Sequence, residues 1–186
     1  MRYKSSQKQE TRQRIIAAAE RSFKKVGYSG IGVDGLAKDA GVTSGAFYGH
    51  FGSKEDAFKE AIISGMSSLN KAIEELQEQH GENWWQAFAK LYTSHKRSCD
   101  LADSCAMQSL TPEVGRASDE IRALYEHELL QIARRANKKQ DMDNTWASLA
   151  MLIGGVTLAR AVKQPKLANE ISNAVKKHVM AAHITK

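Results

Sequence analysis

Apolar residues recur along this 186-residue chain at the three- and four-residue spacing of a helix face, not at the alternating spacing of a strand. Ile15, Ala18, Ala19, Phe23 and Val26 form such a stripe across Glu10–Val26, with basic residues around the rest of the helix. The stretch Gly27-Tyr-Ser-Gly-Ile-Gly32 then carries three glycines, enough to stop the helix and reverse the chain. A second helix is expected from about Val33 to Ala40, a turn at Gly41-Val42-Thr43, and a short third helix from Ser44 to about His50. Ser53 reads as an N-cap with Glu55 and Asp56 in the first turn, where the helix dipole favours acids. It opens a long fourth helix whose stripe of Phe58, Ile62, Met66, Leu69, Ile73 and Leu76 lasts to the polar break at Gln79–Asn83.

A fifth helix covers Trp84 to about Arg97. Thr111-Pro112 has the form of an N-cap followed by proline at the first helical position, and Ser118-Asp-Glu120 that of another helix start. Ile121–Lys138 reads as amphipathic, with Ile121, Leu124, Leu129 and Ile132 inward, and Asn137–Asp143 as a polar loop. Trp146–Val162 is apolar almost all round, which demands burial on several sides. Within it, Gly154 and Gly155 cost about 1 kcal/mol each relative to alanine, so close approach of another helix is expected there. After Pro165 a last helix puts Leu167, Ile171, Ala174, Val175 and Val179 on one face. The reading is an all-α fold of about nine helices. Residues 1–52 form a three-helix unit of helix-turn-helix type, joined by a long helix to a helical body within 53–186.

Composition agrees, since the chain holds only two prolines. Its formal charge is +6, and residues 1–25 carry eight Lys or Arg against Glu10 and Glu20, a surplus equal to that of the whole chain. A basic end on a neutral body suits a polyanion, because neutralised phosphates release condensed counterions. No apolar stretch approaches the length needed to span a bilayer and the N-terminus lacks a signal peptide's apolar core, so a soluble cytoplasmic protein is expected. Two cysteines, Cys99 and Cys105, make no secreted disulfide framework.

The richest segment is Val33–Phe51. Gly41 sits where the turn wants positive φ, and Leu36, Ala37, Ala40, Val42, Phe47 and Phe51 can make a miniature core. Thr43, Ser44, Ala46, Tyr48 and His50 are left outward, with donors for phosphates and a methyl that can touch a thymine methyl in the major groove. This segment resembles the TetR/AcrR family of one-component regulators. The resemblance is carried by Ile15, Ala18-Ala19, Phe23, Gly27-Tyr28, Leu36-Ala37, Ala40-Gly41-Val42 and Gly45 to Glu55. It implies that Tyr48 and His50 contact phosphates, that Lys54 clamps a phosphate at the start of the fourth helix, and that Thr43, Ser44, Gly45 and Ala46 face the groove. Val33 and Gly49 depart from the commonest family pattern, where threonine and an aromatic or polar residue are frequent.

The same resemblance implies a C-terminal domain that binds an inducer and dimerises, and so a repressor of a palindromic operator released by its ligand. The run Leu152–Ala161 is similar to the penultimate helix of many members, which packs with the last helix into an intersubunit four-helix bundle. That places Leu152, Gly154, Gly155, Leu158, Ile171 and Val175 in the interface. Met66, Trp84, Trp85, Phe88, Tyr92, His95, Met107 and Tyr125 are a pocket set suited to an apolar or planar inducer, or are ordinary core. Cys99 and Cys105 are either small buried thiols or sensors of a reactive electrophile or oxidant, with His95, Lys96 and Arg97 as basic neighbours. The segment Ser104–Leu110 resembles a cysteine stretch in one branch of the family, some of whose members sense reactive species. No cofactor is expected, and His95, Cys99, Asp103 and Cys105 match no common zinc spacing. A cysteine-dependent enzyme with Cys99 or Cys105 as nucleophile and His95 as base lacks any supporting motif. A helical adaptor binding another polyanion leaves the Gly41 turn unexplained.

Overall fold

The computed structural model describes residues 2–137 and 141–183, with side chains from Ser6 onward. Among these residues it is all-helical: α1 (Arg2–Val26), α2 (Val33–Asp39), α3 (Ser44–Tyr48), α4 (Lys54–His80), α5 (Trp84–Ser98), α6 (Ala106–Val114), α7 (Asp119–Ala136), α8 (Met142–Ala161) and α9 (Pro165–Ala182). Short 3-10 turns at Gly81–Asn83 and Leu101–Asp103 complete it. Two compact units of packing emerge, residues 1–65 with 101–125 and residues 66–100 with 126–186; two of the three dividing lines fall inside a continuous helix, α4 and α7, and the third falls just after α5.

The first unit is built on α1. Ile15, Ala19 and Phe23 are fully buried, and Phe23 meets Phe58 of α4 edge to face at 5.1 Å. The helix begins eight residues before the stripe at Glu10, since the preceding polar residues contain no glycine or proline to stop it. Leu36, Ala37, Phe47 and Phe51 close the core over α2 and α3, with Val42 half-buried. At Gly65 a Cβ would lie 2.3 Å from that of Ala106, so α4 and α6 cross where neither carries bulk. Glu20 of α1 binds Lys24 and accepts a 2.9 Å bond from Ser64.

Pro112 does not start a helix. It lies inside α6, whose first residue is Ala106. Proline there removes the donor that would reach the Gln108 carbonyl, and α6 ends two residues on, at Val114. The local signal of a threonine before proline is genuine, but the Thr111 hydroxyl instead donates to Met107 O, the back-bond common inside helices. Ser118 does take the cap position of α7, its carbonyl accepting from Arg122 N at 3.0 Å. The expected reach of α7 to Lys138, and the centre of the loop after it, lie outside the described residues.

The second unit packs α5, α8 and α9 on one another, over Trp84, Trp85, Phe88, Leu149, Leu152, Val156 and Val179. Asp141 caps α8, accepting from Asn144 N at 3.0 Å, so α8 starts earlier than Trp146, where the apolar run begins. The paired glycines divide their duties. A Cβ on Gly155 would stand 2.4 Å from Val175 Cγ2 of α9, whereas Gly154 has open space. Arg160, near the end of α8, donates from Nη1 to the carbonyls of Lys96 (2.7 Å) and Arg97 (2.9 Å) and from Nη2 to that of Cys99 (2.8 Å). It thereby satisfies the orphan carbonyls at the end of α5, where a cation also suits the dipole.

The glycine pair makes a contrast that thermal denaturation can read. Gly155→Ala should destabilise by about 1–3 kcal/mol through overpacking against Val175, while Gly154→Ala should leave stability unchanged or raise it by up to about 1 kcal/mol.

Candidate nucleic-acid interface

Gly41 takes φ +66°, which an L side chain rarely adopts, and the chain turns there from α2 into α3. Val42 N returns to Ala37 O at 2.9 Å and Gly41 N to Lys38 O at 3.0 Å, satisfying the end of α2. Thr43 caps α3, its Oγ1 accepting from Ala46 N at 3.1 Å, which leaves its hydroxyl proton for an outside acceptor. Phe47 is the only fully buried residue of α3. The other face presents Thr43, Gly45, Ala46 and Tyr48, all exposed, with Tyr48 at 57 %. An exposed phenol on a short helix, braced edge to face on Phe47 at 5.7 Å, is a rigid polar tip on an apolar stalk.

The remaining expected contacts are less free. The Ser44 hydroxyl donates to Asp34 at 2.5 Å, so its proton is spent on holding α3 to the first turn of α2. His50 is half-buried, and its Nδ1 lies buried without a hydrogen-bond partner. Lys54 turns inward: its ammonium donates to Tyr28 O at 2.9 Å and Ile31 O at 3.0 Å and stands 4.1 Å from the Tyr28 ring centre. Two carbonyls and a ring face take up a group expected to clamp phosphate. Tyr28 in turn has its pKa raised, by burial first and by the Glu55 charge second, which keeps the ring neutral beneath the cation. Ser22 to Asp39, 2.7 Å, ties α1 to the end of α2 and was not foreseen.

The basic surplus of α1 is partly used within the fold. Arg12 pairs with Glu60 at 2.6 Å and lies over the Phe51 ring, Arg21 pairs with Asp103, and Lys24 with Glu20. Lys8, Arg14 and Lys25 remain on exposed positions.

In the second unit, a cavity of about 460 Å³ is lined by Gln77, Trp84, Trp85, Asn137, Asp141, Asn144, Thr145 and His183 among others. Of the expected pocket set only Trp84 and Trp85 reach it. Phe88 and Tyr92 continue the aromatic row behind them, with ring centres 5.8 Å from Trp85 to Phe88 and 5.4 Å from Phe88 to Tyr92. Met66 is buried in this unit and His95 is exposed. Met107 and Tyr125 are buried in the first unit, where the Tyr125 and Thr111 hydroxyls are 2.5 Å apart. Sequence periodicity selected aromatic core positions. The polar lining instead comes from helix ends, where Asn144 donates to Ala182 O at 3.0 Å and Gln77 to Arg135 O at 2.9 Å. His183 stacks on Trp85 at 4.2 Å and 11°, 2.8 Å from the Ser148 hydroxyl.

Cys99 is half-buried at the end of α5, 3.6 Å from Lys96 O and 4.0 Å from the Arg160 guanidinium. Cys105 is buried at the N-cap of α6 in the first unit. At the surface of α8 and α9, Gly154, Leu158 and Leu167 are exposed, Leu158 at 61 %. Ile171 and Val175 are half-buried, while Leu152 and Gly155 are buried within the unit itself.

The helix-turn-helix geometry has counterparts. Residues 15–61 match the family model for bacterial regulatory proteins of the tetR family. The HTH-type transcriptional regulator AcrR of Shigella flexneri is 45% identical over 71 residues, 38% of this chain and 32% of that protein. The chain thus matches only about a third of AcrR. LmrA of Bacillus subtilis, another HTH-type transcriptional regulator, is 24% identical across 89% of this chain and 95% of its own. In fold, the reduced form of NemR from E. coli superposes with a TM-score of 0.81 at 19% identity, covering 95% and 98% of the two chains. A TetR-family regulator from Cytophaga hutchinsonii gives 0.79 at 16% identity, covering 97% and 98%. Over the helix-turn-helix unit, the chain is thus similar to HTH-type transcriptional regulators, and over most of its length it shares their fold.

For Lys54 the two readings part experimentally. Lys54→Met should lower stability to urea by about 1–3 kcal/mol, since it strands two loop carbonyls. Unchanged stability with a loss confined to DNA affinity would instead restore the phosphate role.

Proposed function

We propose that the protein is a transcriptional repressor that binds a palindromic operator as a homodimer and is released by a small molecule held in its second unit. The observation that carries the DNA reading is the free face of α3: Thr43, Gly45, Ala46 and Tyr48 stand exposed on a helix fixed from behind by Phe47 and Gly41. A helix so held can enter a major groove, Ala46 meeting a base edge while Thr43, Tyr48 and the exposed cations of α1 meet phosphates. His50, with an unsatisfied buried Nδ1, supports from behind or reaches a phosphate. Residues 1–52 are the DNA-reading part in this proposal, and residues 53–186 the sensing and dimerising part of a cytoplasmic protein. No described helix is long and apolar enough to cross a membrane.

Dimerisation is supported by α8. A helix apolar on nearly every side shows Gly154 and Leu158 to the outside of its own unit, and Leu167 of α9 is exposed as well. A second copy laid there hides the leucines and uses the open space at Gly154 for close approach. Two reading helices then address half-sites one turn apart, about 34 Å. The inducer, apolar or planar, is assigned to the cavity walled by Trp84 and Trp85. Gln77, near the end of α4, lines that cavity, and α4 begins directly after the reading unit, so a ligand with different affinities for two settings of α4 shifts operator binding. Release by cysteine modification is the second route. Cys99 is the better placed thiol for it, being partly accessible and near Arg160, whose guanidinium closes α5.

Selection from random duplexes should return a palindrome, and at physiological salt that palindrome should bind at least a hundredfold tighter than unrelated duplex. Tyr48→Ala should weaken binding to all duplexes by about tenfold, without changing the selected sequence. Leu158→Glu should give monomers by sedimentation and lose cooperative operator binding. Equal affinity for palindrome and random duplex would overturn the repressor reading.

A further inference from the structure

A groove between α5 and α9 stands apart from both the reading face and the tryptophan cavity. It has a volume of about 300 Å³ and is lined by Lys90, Thr93, Ser94 and Arg97 of α5 and by Asn169, Ser172, Asn173 and Lys176 of α9. The charged residues in this lining are all cations. Each helix supplies its outer polar residues at the i, i+4, i+7 spacing of one face: Lys90, Ser94 and Arg97 opposite Asn169, Asn173 and Lys176.

The hydroxyls do not compete for a ligand as donors. Thr93 donates to Ala89 O at 2.7 Å, Ser94 to Lys90 O at 2.6 Å and Ser172 to Ala168 O at 2.8 Å, each back into its own helix. What remains is a set of N–H donors. Arg97 Nε is buried and has no hydrogen-bond partner, although its backbone carbonyl is taken by Arg160. Lys176 gives one hydrogen to Asn173 Oδ1 at 3.1 Å and keeps two, and taking up that oxygen leaves the Asn173 amide with its NH₂. A buried guanidinium nitrogen without a partner is destabilising. Three like charges around one groove add repulsion, so the site is incomplete as it stands.

We propose that this groove binds a small multivalent oxyanion of the phosphate class, with Lys90, Arg97 and Lys176 as the cations around it. Such a ligand offsets the repulsion among the cations that α5 and α9 bring to the groove. The volume admits a phosphorylated metabolite as well as the bare ion. Because α9 carries Leu167 and Ile171 of the proposed dimer face, the anion also steadies the helix on which association depends. Binding itself stands independently of the repressor reading; only its effect on the dimer rests on that reading.

The test is calorimetry of the full chain with inorganic pyrophosphate, repeated with phosphate, citrate and sodium chloride at matched ionic strength. Saturable binding of pyrophosphate is expected, with a rise of about 5 °C or more in melting temperature at ligand a hundredfold above Kd and none with chloride. The double variant R97Q/K176Q should bind at least tenfold more weakly. K163Q/K166Q, which removes the same charge from exposed positions outside the groove, should bind as the parent does. Both pairs carry changes at residues away from the core, and circular dichroism verifies that each is folded. No saturable binding, equal loss in the two pairs, or citrate bound as tightly as pyrophosphate would overturn the proposal. Displacement of pyrophosphate by unrelated duplex DNA, with that competition lost in R97Q/K176Q, would make the groove a nucleic-acid surface instead. Palindrome selection by the ligand-free protein reads the repressor proposal separately, so the two can fail independently.

Discussion

The placement of the reading helix depends on one lysine facing inward. Lys54 opens α4 and holds the carbonyls of Tyr28 and Ile31, which belong to the glycine-rich loop between α1 and α2. That loop's backbone has little of its own to fix it, since its glycines widen the backbone's choices. Two charge-assisted bonds and a ring beneath the ammonium narrow those choices to one. The start of α2 then follows, and with it the Gly41 turn and α3. An interaction hidden from any DNA thus sets where Thr43 and Tyr48 stand, and the Tyr28 ring, wedged against Phe58 at 4.9 Å, links this brace to the aromatic core.

Helix type and number were legible in the sequence because burial here follows a 3.6-residue period over long stretches. The failures are local and share a cause. Thr111-Pro112 carries the signs of a helix start, yet the residues before it pack as helix: Ala106, Met107 and Leu110 are buried, and their burial outweighs one lost bond. Lys54 was assigned to phosphate because its sequence neighbours fit that role; the acceptors it found lie 23 and 26 residues earlier, and no local pattern reports them. The cavity shows the same limit. Aromatic spacing along α5 identified Trp84 and Trp85, but the polar lining comes from residues at the ends of four other helices, whose convergence is a property of the packed unit.

Charge behaves likewise. The N-terminal surplus looked like a single polyanion-binding feature, whereas the fold divides it. Arg12, Arg21 and Lys24 pair with carboxylates within the unit and help fasten α1, and a smaller set stays on the surface. Away from this helix, cations gather where the sequence shows none together: Lys90, Arg97 and Lys176 are separated by up to 86 positions and meet at one groove. Net charge does not show where cations gather; packing does.

Adjacent glycines on α8 give one helix two kinds of seam. Gly155 lets α9 come close and belongs to the folding of a single chain; Gly154, a hundred degrees around the axis, faces outward and does nothing for that chain alone. If copies associate there as proposed, stability and assembly are written at neighbouring positions yet are separable. In the proposed dimer, drift at the outward glycine can retune how copies recognise one another without being felt in the core.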